Sequence, residues 1–302
     1  MKLALLLLLL NPPAPIDELD RLAKARDVEG VKALASEGLL KERPQAFRFF
    51  RSGGTYGTGR FGWTAKELRS PDGRSYIVFG TKITSQDIGE QVFEWRDGKL
   101  TAYVDEQNDW GYRITNHDFD ISFKPAEKTA ILSDRVTIAR REGAEGQVLL
   151  RMSPQYVVSS ISDGNREVPF QQASGVLLAA APVSKTFTYR ISYSGVVNLP
   201  QYAGSINSNE ALLTNDYWYP MIARKPATFT ARVRAPKGWT VVTQGDKVGE
   251  QEGPDGKTFE YKMGLPVVYF SLSAGPFRTG TDVVAGRQVH TFTTELSDAQ
   301  MK

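Results

Sequence analysis

The feature that most constrains the fold is a long series of short segments in which apolar and polar side chains alternate. From Ala46 onward this period of two recurs in stretches such as SYIVFGTKIT, YRITNHDFDISF and KTFTYRISYSGVV. Alternation turns one side of each strand toward a core, and strands at hairpin spacing pair antiparallel. The pattern therefore predicts a mainly β fold, an antiparallel saddle-like β-sandwich, and argues against a parallel α/β fold.

Further candidate strands continue almost to the end of the chain. They are EQVFEWR, GKLTAYVDE, TAILSDRVTIARR, QVLLRMS, YVVSSIS, GVLLAAA, ATFTARVRA, WTVVTQG, KTFEYKM, VVYFSLSAG and RQVHTFTTE. Turn sequences separate several of them, including Asp97-Gly98 and Pro236-Lys237-Gly238. The alternation is broken near Asp105–Trp110, which divides an extra β segment (46–108) from a larger β domain (109–295).

An apolar leader and a short helical segment precede the strands. The leader MKLALLLLLLNPPAP has one lysine, an apolar run and helix-breaking prolines, and it is shorter than the ~20 residues of a membrane-spanning helix. This order predicts a signal peptide or weak anchor over residues 1–14, and thus export to the periplasm or the extracellular space. Residues 15–45 carry apolar side chains at helical spacing, which predicts two short helices that end at Pro44.

Composition excludes several kinds of site. The 37 Lys and Arg residues nearly balance the 34 Asp and Glu residues, and this net charge of +3 argues against nucleic-acid binding. The absence of cysteine excludes disulfides, thiolate metal sites and a cysteine nucleophile. A catalytic zinc site needs three protein ligands, whereas the only histidines are His117 and His290 and neither begins an H-E-x-x-H motif. We therefore expect no metal cofactor in this chain.

Two motif-like stretches are better explained as ordinary structure. GTGRFG, residues 57–62, fits the dinucleotide-binding pattern, but no strand–helix–strand unit follows it, so we interpret it as a loop. NHDFDIS places Asn116, Asp118 and Asp120 on one strand face and His117 on the other. Calcium binding or acid–base chemistry is one interpretation of this stretch. The solvated face of a half-buried strand is the favoured one, because no third acidic ligand lies near in sequence.

The densest aromatic stretch, Tyr217-Trp218-Tyr219, lies in NDYWYPMIARKPATFTARVRAP. Tyr and Trp combine a large apolar area with one polar group, so we predict that this loop mainly plugs the core, with the Tyr hydroxyl and the Trp N–H near the rim. The alternative function is a standalone exported β-sandwich module that binds carbohydrate or protein. In that alternative, exposed Trp63, Trp110 and Trp218 would stack on the ligand, although we expect buried core roles for at least two of them.

The aromatic–proline stretch, together with LPVVYFSLSAGPF, resembles the N-terminal domain of the aminopeptidase N family of zinc metallopeptidases. Upstream segments such as DFDISFKPAEKTAILSDRVTIARR fit the earlier strands of that domain in order, so the resemblance covers about Tyr112–Glu295. It implies a β domain that packs on a catalytic domain and walls the peptide-binding cleft. Zinc would belong to that catalytic domain, which is missing from this chain.

The chain departs from the family pattern where the catalytic machinery would stand. Familiar members carry a cysteine and an aspartate between the two prolines, but MIARK separates Pro220 from Pro226. H-E-x-x-H and the G-x-M-E-N-like segment are also absent, and residues 296–302 fit the truncated start of a following domain. The resemblance therefore implies a non-catalytic region that is inactive alone, with its catalytic domain and, in the full-length protein, a peptide substrate as partners.

The resemblance also implies a substrate-binding edge. In the family, a glutamine or glutamate shortly before the aromatic–proline segment holds the free amine of the substrate. SNEALL places Glu210 near that position, with Asn209 beside it. As a carboxylate at the rim of a cleft, Glu210 is expected to contribute little to folding.

Overall fold

The computed structural model describes residues 14–47, 63–70, 73–83, 86–104, 111–144, 146–164, 166–198, 204–214, 217–294 and 300. The fold is mainly β with a short helical segment at its start, as the alternation predicted. The leader before Ala14, the GTGRFG motif and the predicted boundary near Asp105–Trp110 lie outside the described residues.

In the described residues, three short helices precede the strands, rather than the two predicted for residues 15–45: α1 (Ile16–Ala25), α2 (Val28–Ala33) and α3 (Glu37–Glu42). The extra break separates α2 from α3. There Leu100 donates its N–H to the Leu34 carbonyl and accepts from the Ser36 N–H, both at 2.9 Å. Leu100 lies on a strand, and it thus binds backbone groups that a continuous helix would have used for its own hydrogen bonds. A 3₁₀ turn (Pro44–Phe47) follows α3. Within the described residues, helices are too short or too polar to cross a membrane.

The described part of the chain contains 21 strands, and most of them fall on the predicted segments. They are β1 (Trp63–Arg69), β2 (Ser75–Ile83), β3 (Gln86–Arg96), β4 (Lys99–Val104), β5 (Tyr112–Lys124), β6 (Thr129–Arg140), β7 (Gln147–Arg151), β8 (Tyr156–Asp163), β9 (Arg166–Glu167), β10 (Phe170–Ala173), β11 (Val176–Ala180), β12 (Thr186–Val196), β13 (Ser205–Ile206), β14 (Ala211–Leu213), β15 (Ala227–Pro236), β16 (Thr240–Thr243), β17 (Asp246–Gly253), β18 (Gly256–Val267), β19 (Leu272–Gly275), β20 (Arg278–Val284) and β21 (Arg287–Thr293). A 3₁₀ turn (Pro125–Glu127) joins β5 to β6.

Strands that the sequence pattern missed are short or polar. They are β1, β9, β10, β13, β14, β17 and β20. The clearest case is β17, DKVGEQEG, in which Val248 is the one large apolar side chain and is exposed. This strand lies at the edge of its sheet, so hydrogen bonds to β18 hold it without a buried face. Alternation cannot reveal such a strand, because alternation reports burial.

Eight strands form the main sheet, in the order β17-β18-β15-β5-β6-β12-β8-β9. Neighbouring strands run antiparallel except β15 and β5, which are parallel and place Phe229 beside His117. This pair differs from the purely antiparallel arrangement that we predicted. A parallel pair needs a long crossover, and here β6 to β14 lie between the two strands in sequence.

Two smaller sheets, β10-β11-β7 and β13-β14-β19-β16, complete the large hydrophobic core with the main sheet. Along β5, buried and more exposed residues alternate, so Phe119 and Ile121 point into this core. Asp118 and Asp120 point to the other face, as predicted for a half-buried strand. The main sheet therefore keeps one solvated face.

The N-terminal helices and the sheet β1-β2-β3-β4 form a second core of their own. The opposite face of this sheet contributes Leu68, Tyr76, Val78 and Val92 to a cluster with residues of β11. A side-chain bond adds to the contact, because Gln171 Oε1 accepts from the Arg69 N–H at 2.7 Å. Both faces of the small sheet are thus packed.

Candidate functional site

The aromatic loop is a plug in the core, as the sequence predicted. Trp218 and Tyr219 are 1% and 2% exposed. Both bind the backbone of Phe270: Trp218 Nε1 donates to its carbonyl at 3.0 Å, and Tyr219 Oη accepts from its N–H at 3.1 Å. Their rings pack with Phe119 and Phe229 at centroid distances of 5.2 and 6.0 Å respectively. The prediction that these two polar groups lie near the rim is wrong, because both are buried and bound to the backbone inside the fold.

These bonds also correct the predicted strand VVYFSLSAG. Only Leu272–Gly275 forms a strand there. Side chains occupy the backbone groups just before it: Gln244 Oε1 accepts from the Ser271 N–H at 2.8 Å, and Thr243 Oγ1 donates to the Ser271 carbonyl at 2.6 Å. Because these groups and those of Phe270 already have partners, this stretch does not extend the sheet.

The tryptophan surface of the alternative function is not present in the described residues. Trp63 is 0% exposed and belongs to the core beneath the N-terminal helices. Trp218 is buried in the plug, and Trp110 lies outside the described residues. Trp63 and Trp218 thus take the buried core roles that we expected for at least two of the three tryptophans, and neither indole ring is exposed to stack on a ligand.

Glu210 lies at the end of the β13–β14 hairpin and is half-buried. Its Oε1 accepts hydrogen bonds from Ser205 Oγ at 2.7 Å and Asn207 Nδ2 at 3.5 Å. Asn207 Oδ1 in turn accepts from the backbone N–H of Asn209 and of Glu210, which fixes the loop as an Asx turn. Both partners reach the same oxygen, so Oε2 keeps no hydrogen-bond partner among the described residues.

Strand pairing places this hairpin beside β19. Ala211 and Leu213 of β14 lie opposite Ala274 and Leu272. At the end of β19 the contact is so close that a Cβ on Gly275 would lie 2.9 Å from the Asn209 carbonyl oxygen. The chain then enters β20 three residues later, so the loop that carries Asn209 and Glu210 lies close to the chain just before the β20–β21 hairpin.

The β20–β21 hairpin exposes apolar side chains on both faces. Val283, Val284, Val289 and Phe292 are 62%, 57%, 45% and 36% exposed. Among the described residues, the two strands pair only with each other. A lone two-stranded hairpin is marginal in water. Its apolar surface is therefore characteristic of an element that packs on something else.

The two histidines do not form a zinc site with the donors that the structure describes. His117 Nδ1 lies 2.7 Å from Asp134 Oδ2 in the core, and its ring stacks on Phe119 and Phe229 at 5.1 and 5.3 Å. Burial raises the pKa of the Asp134 carboxyl, although the neighbouring imidazole opposes this. His290 lies on the exposed hairpin, near Thr281. In the described ranges, no three His, Asp or Glu side chains cluster to hold a metal.

Solved structures share this arrangement of sheets, and they define the class of fold: it is one found in M1 zinc metallopeptidases. The M1 zinc metallopeptidase of Deinococcus radiodurans is 21% identical, with a TM-score of 0.51 over 60% of this chain and 46% of that chain. Aminopeptidase A of Legionella pneumophila, solved with aspartic acid, is 14% identical, with a TM-score of 0.52 over 60% of this chain and 23% of that chain.

At these identities the likeness shows the fold alone. The match spans less than half of the length of the Deinococcus enzyme. No family model matches the chain, and no curated protein sequence matches it.

Proposed function

We propose that this chain is the non-catalytic N-terminal region of an exported aminopeptidase N-like zinc metallopeptidase. In this proposal it packs on a catalytic domain that lies outside these 302 residues and forms one wall of the peptide-binding cleft. The zinc would be held by that domain. The shared fold supports the proposal, as does the Deinococcus enzyme, a mutant of which was solved with a Tyr-Ser-Ala substrate. The leader over residues 1–14 supports export.

The exposed β20–β21 hairpin is the observation that carries this proposal. Its four large apolar side chains face solvent on both sides of a two-stranded sheet. Covering them would remove apolar surface from water, which is favourable by about 25 cal/mol for each Å² of apolar surface that is buried. A catalytic domain that follows in the same polypeptide is the covering surface that the length of the matched enzymes suggests.

Glu210 and Asn209 would form the part of this wall that contacts substrate. The Asn209 carbonyl lies close to Gly275, shortly before the hairpin in sequence, and Glu210 Oε2 has no hydrogen-bond partner in the described part of the fold. A carboxylate oxygen of this kind can accept from the ammonium group of a peptide. Charge-assisted hydrogen bonds typically contribute ~1.5–3 kcal/mol.

Hydrogen exchange tests the packing. The gene that encodes this chain, read to its stop codon, supplies the full-length protein for comparison with the 302-residue chain. We expect the amides of β20 and β21 to exchange at least tenfold more slowly in the full-length protein. The control is the turn between β17 and β18, Pro254–Gly256, which should exchange equally in both proteins. Equal exchange of the hairpin amides in both proteins would overturn the proposal.

A further inference from the structure

The solvated face of the main sheet contains an open groove of about 470 Å³, and it is separate from the Glu210 edge. Side chains from β5, β6, β12, β15 and β18 line it. Among them are Ser133 and Arg135 on β6 and Arg190 on β12. Most of the residues that line the groove are polar or charged, in contrast to those on the apolar face of the same sheet.

Arg135 and Arg190 lie directly opposite each other in the antiparallel pair β6–β12. Like charges in this position repel each other and destabilise a sheet. The fold places both side chains on the solvated face nonetheless, because both residues take the outward positions of strands whose alternate residues fill the core. An anion bound between them would relieve the repulsion.

Carboxylates on the same face leave this pair largely uncompensated. Glu260 Oε1 lies 2.8 Å from the guanidinium of Arg232, and Asp120 is bound by Arg234. Asp118 is 3.9 Å from Arg135, and its Oδ1 already accepts from Thr230 Oγ1 at 2.7 Å. The side chain of Arg190, the other cation of the pair, makes no hydrogen bond or ion pair with any described residue.

We propose that Arg135 and Arg190 bind a phosphate group in this groove. A phosphate carries about −1.5 to −2 charges at pH 7, which matches two guanidinium groups, whereas a carboxylate is satisfied by one. Arginine presents its N–H groups in a planar fork that suits phosphate oxygens. The Ser133 hydroxyl lines the same groove and supplies a further donor. A bound phosphate replaces the long contact between Arg135 and Asp118.

Calorimetric titration of the purified chain at low ionic strength tests this site. Inorganic phosphate and O-phosphoserine are the ligands, and acetate is the carboxylate comparison. We expect one phosphate site per chain and weaker binding of acetate. Affinity should fall at least tenfold in Arg135→Gln and in Arg190→Gln. Arg166→Gln removes the same charge from an exposed position on β9 and should change affinity less than twofold.

Thermal unfolding, measured first without and then with phosphate, gives a second test. Relief of the repulsion should raise the Tm of Arg190→Gln above that of the wild type, and phosphate should stabilise only the wild type and the Arg166→Gln control. Tighter binding of O-phosphoserine than of phosphate would show that the group is carried on a larger molecule. The proposal is overturned if the wild type binds neither ligand, or if Arg190→Gln binds as tightly as the wild type.

Discussion

At the scale of single residues, one carboxyl group in the core contributes to how stability changes with pH. Asp134 is fully buried beside His117, and burial raises its pKa above the ordinary value of 3.8. The folded protein therefore binds this proton more tightly than the unfolded chain does. The contribution of this group to stability is fully present below pH 3.8 and is lost as the pH rises through the folded-state pKa.

Asp134→Asn tests this response, because the amide keeps the size of the side chain and does not titrate. We expect the free energy of unfolding of the wild type, minus that of the variant, to decrease as the pH rises above 3.8. Urea unfolding at a series of pH values measures the difference. A difference that grows with pH would show that the pairing with His117 outweighs desolvation.

Glu210 is a second residue whose role the structure sharpens. The sequence predicted a rim carboxylate that matters little for folding, but its Oε1 accepts from Ser205 and Asn207. Glu210→Ala should therefore lower the free energy of unfolding by about 1 kcal/mol. Glu210→Gln keeps an acceptor oxygen and should cost less. Urea unfolding of both variants checks this expectation, and an unchanged stability of Glu210→Ala would show that these bonds contribute nothing.

In the proposed full-length peptidase, the charge of Glu210 is what would bind the ammonium group of the substrate. We expect Glu210→Gln to lower kcat/KM about tenfold or more for peptides with a free amine, the loss of one charge-assisted hydrogen bond. Glu127→Gln, an exposed carboxylate on the turn between β5 and β6, is the matched control. If the two variants have equal kcat/KM, Glu210 does not contact the substrate amine.

At the scale of elements, the β20–β21 hairpin should be dispensable for the stability of the isolated chain. Phe292 of the hairpin is 36% exposed, whereas Phe270 beneath the aromatic plug is 1% exposed. We expect Phe270→Ala to cost about 3–5 kcal/mol. Phe292→Ala should cost less than about 1 kcal/mol, because its ring contacts little. Similar losses for the two variants, measured by urea unfolding, would mean that the hairpin is packed.

Sequence alternation predicted most elements because burial and strand pairing agree in them. It failed where backbone hydrogen bonds decide the structure. Leu100 interrupts a helix between α2 and α3, and side chains bound to Phe270 and Ser271 delay the start of β19. It also failed for β17, which has partners but no buried face. The class of the fold was therefore predictable from the sequence, whereas the places at which helices and strands are interrupted were not.

The candidate site at Glu210 was likewise predictable only in part. The family resemblance pointed to Glu210 and Asn209 from their place before the aromatic–proline stretch. The Asx turn of Asn207 and the close approach to Gly275 depend on how β14 pairs with β19. That pairing joins segments about 60 residues apart, and no local pattern encodes it.

At the scale of the whole molecule, two cores share one chain. The helices and β1–β4 form one core, and the main sheet with its two smaller partners forms the other. The cluster around Leu68 and Tyr76 joins them. Because this cluster covers the outer face of the small sheet, we expect a single cooperative unfolding transition for the purified chain. Two separated transitions in calorimetry would show that the two cores unfold independently.

The natural protein can show directly whether this chain is the non-catalytic part of a zinc peptidase, as proposed. An antibody against residues 111–294 would isolate that protein. Its intact mass and zinc content are then measured together. We expect a polypeptide clearly longer than 302 residues that holds one zinc ion. A natural polypeptide of 302 residues or fewer, with no bound zinc, would contradict the proposal.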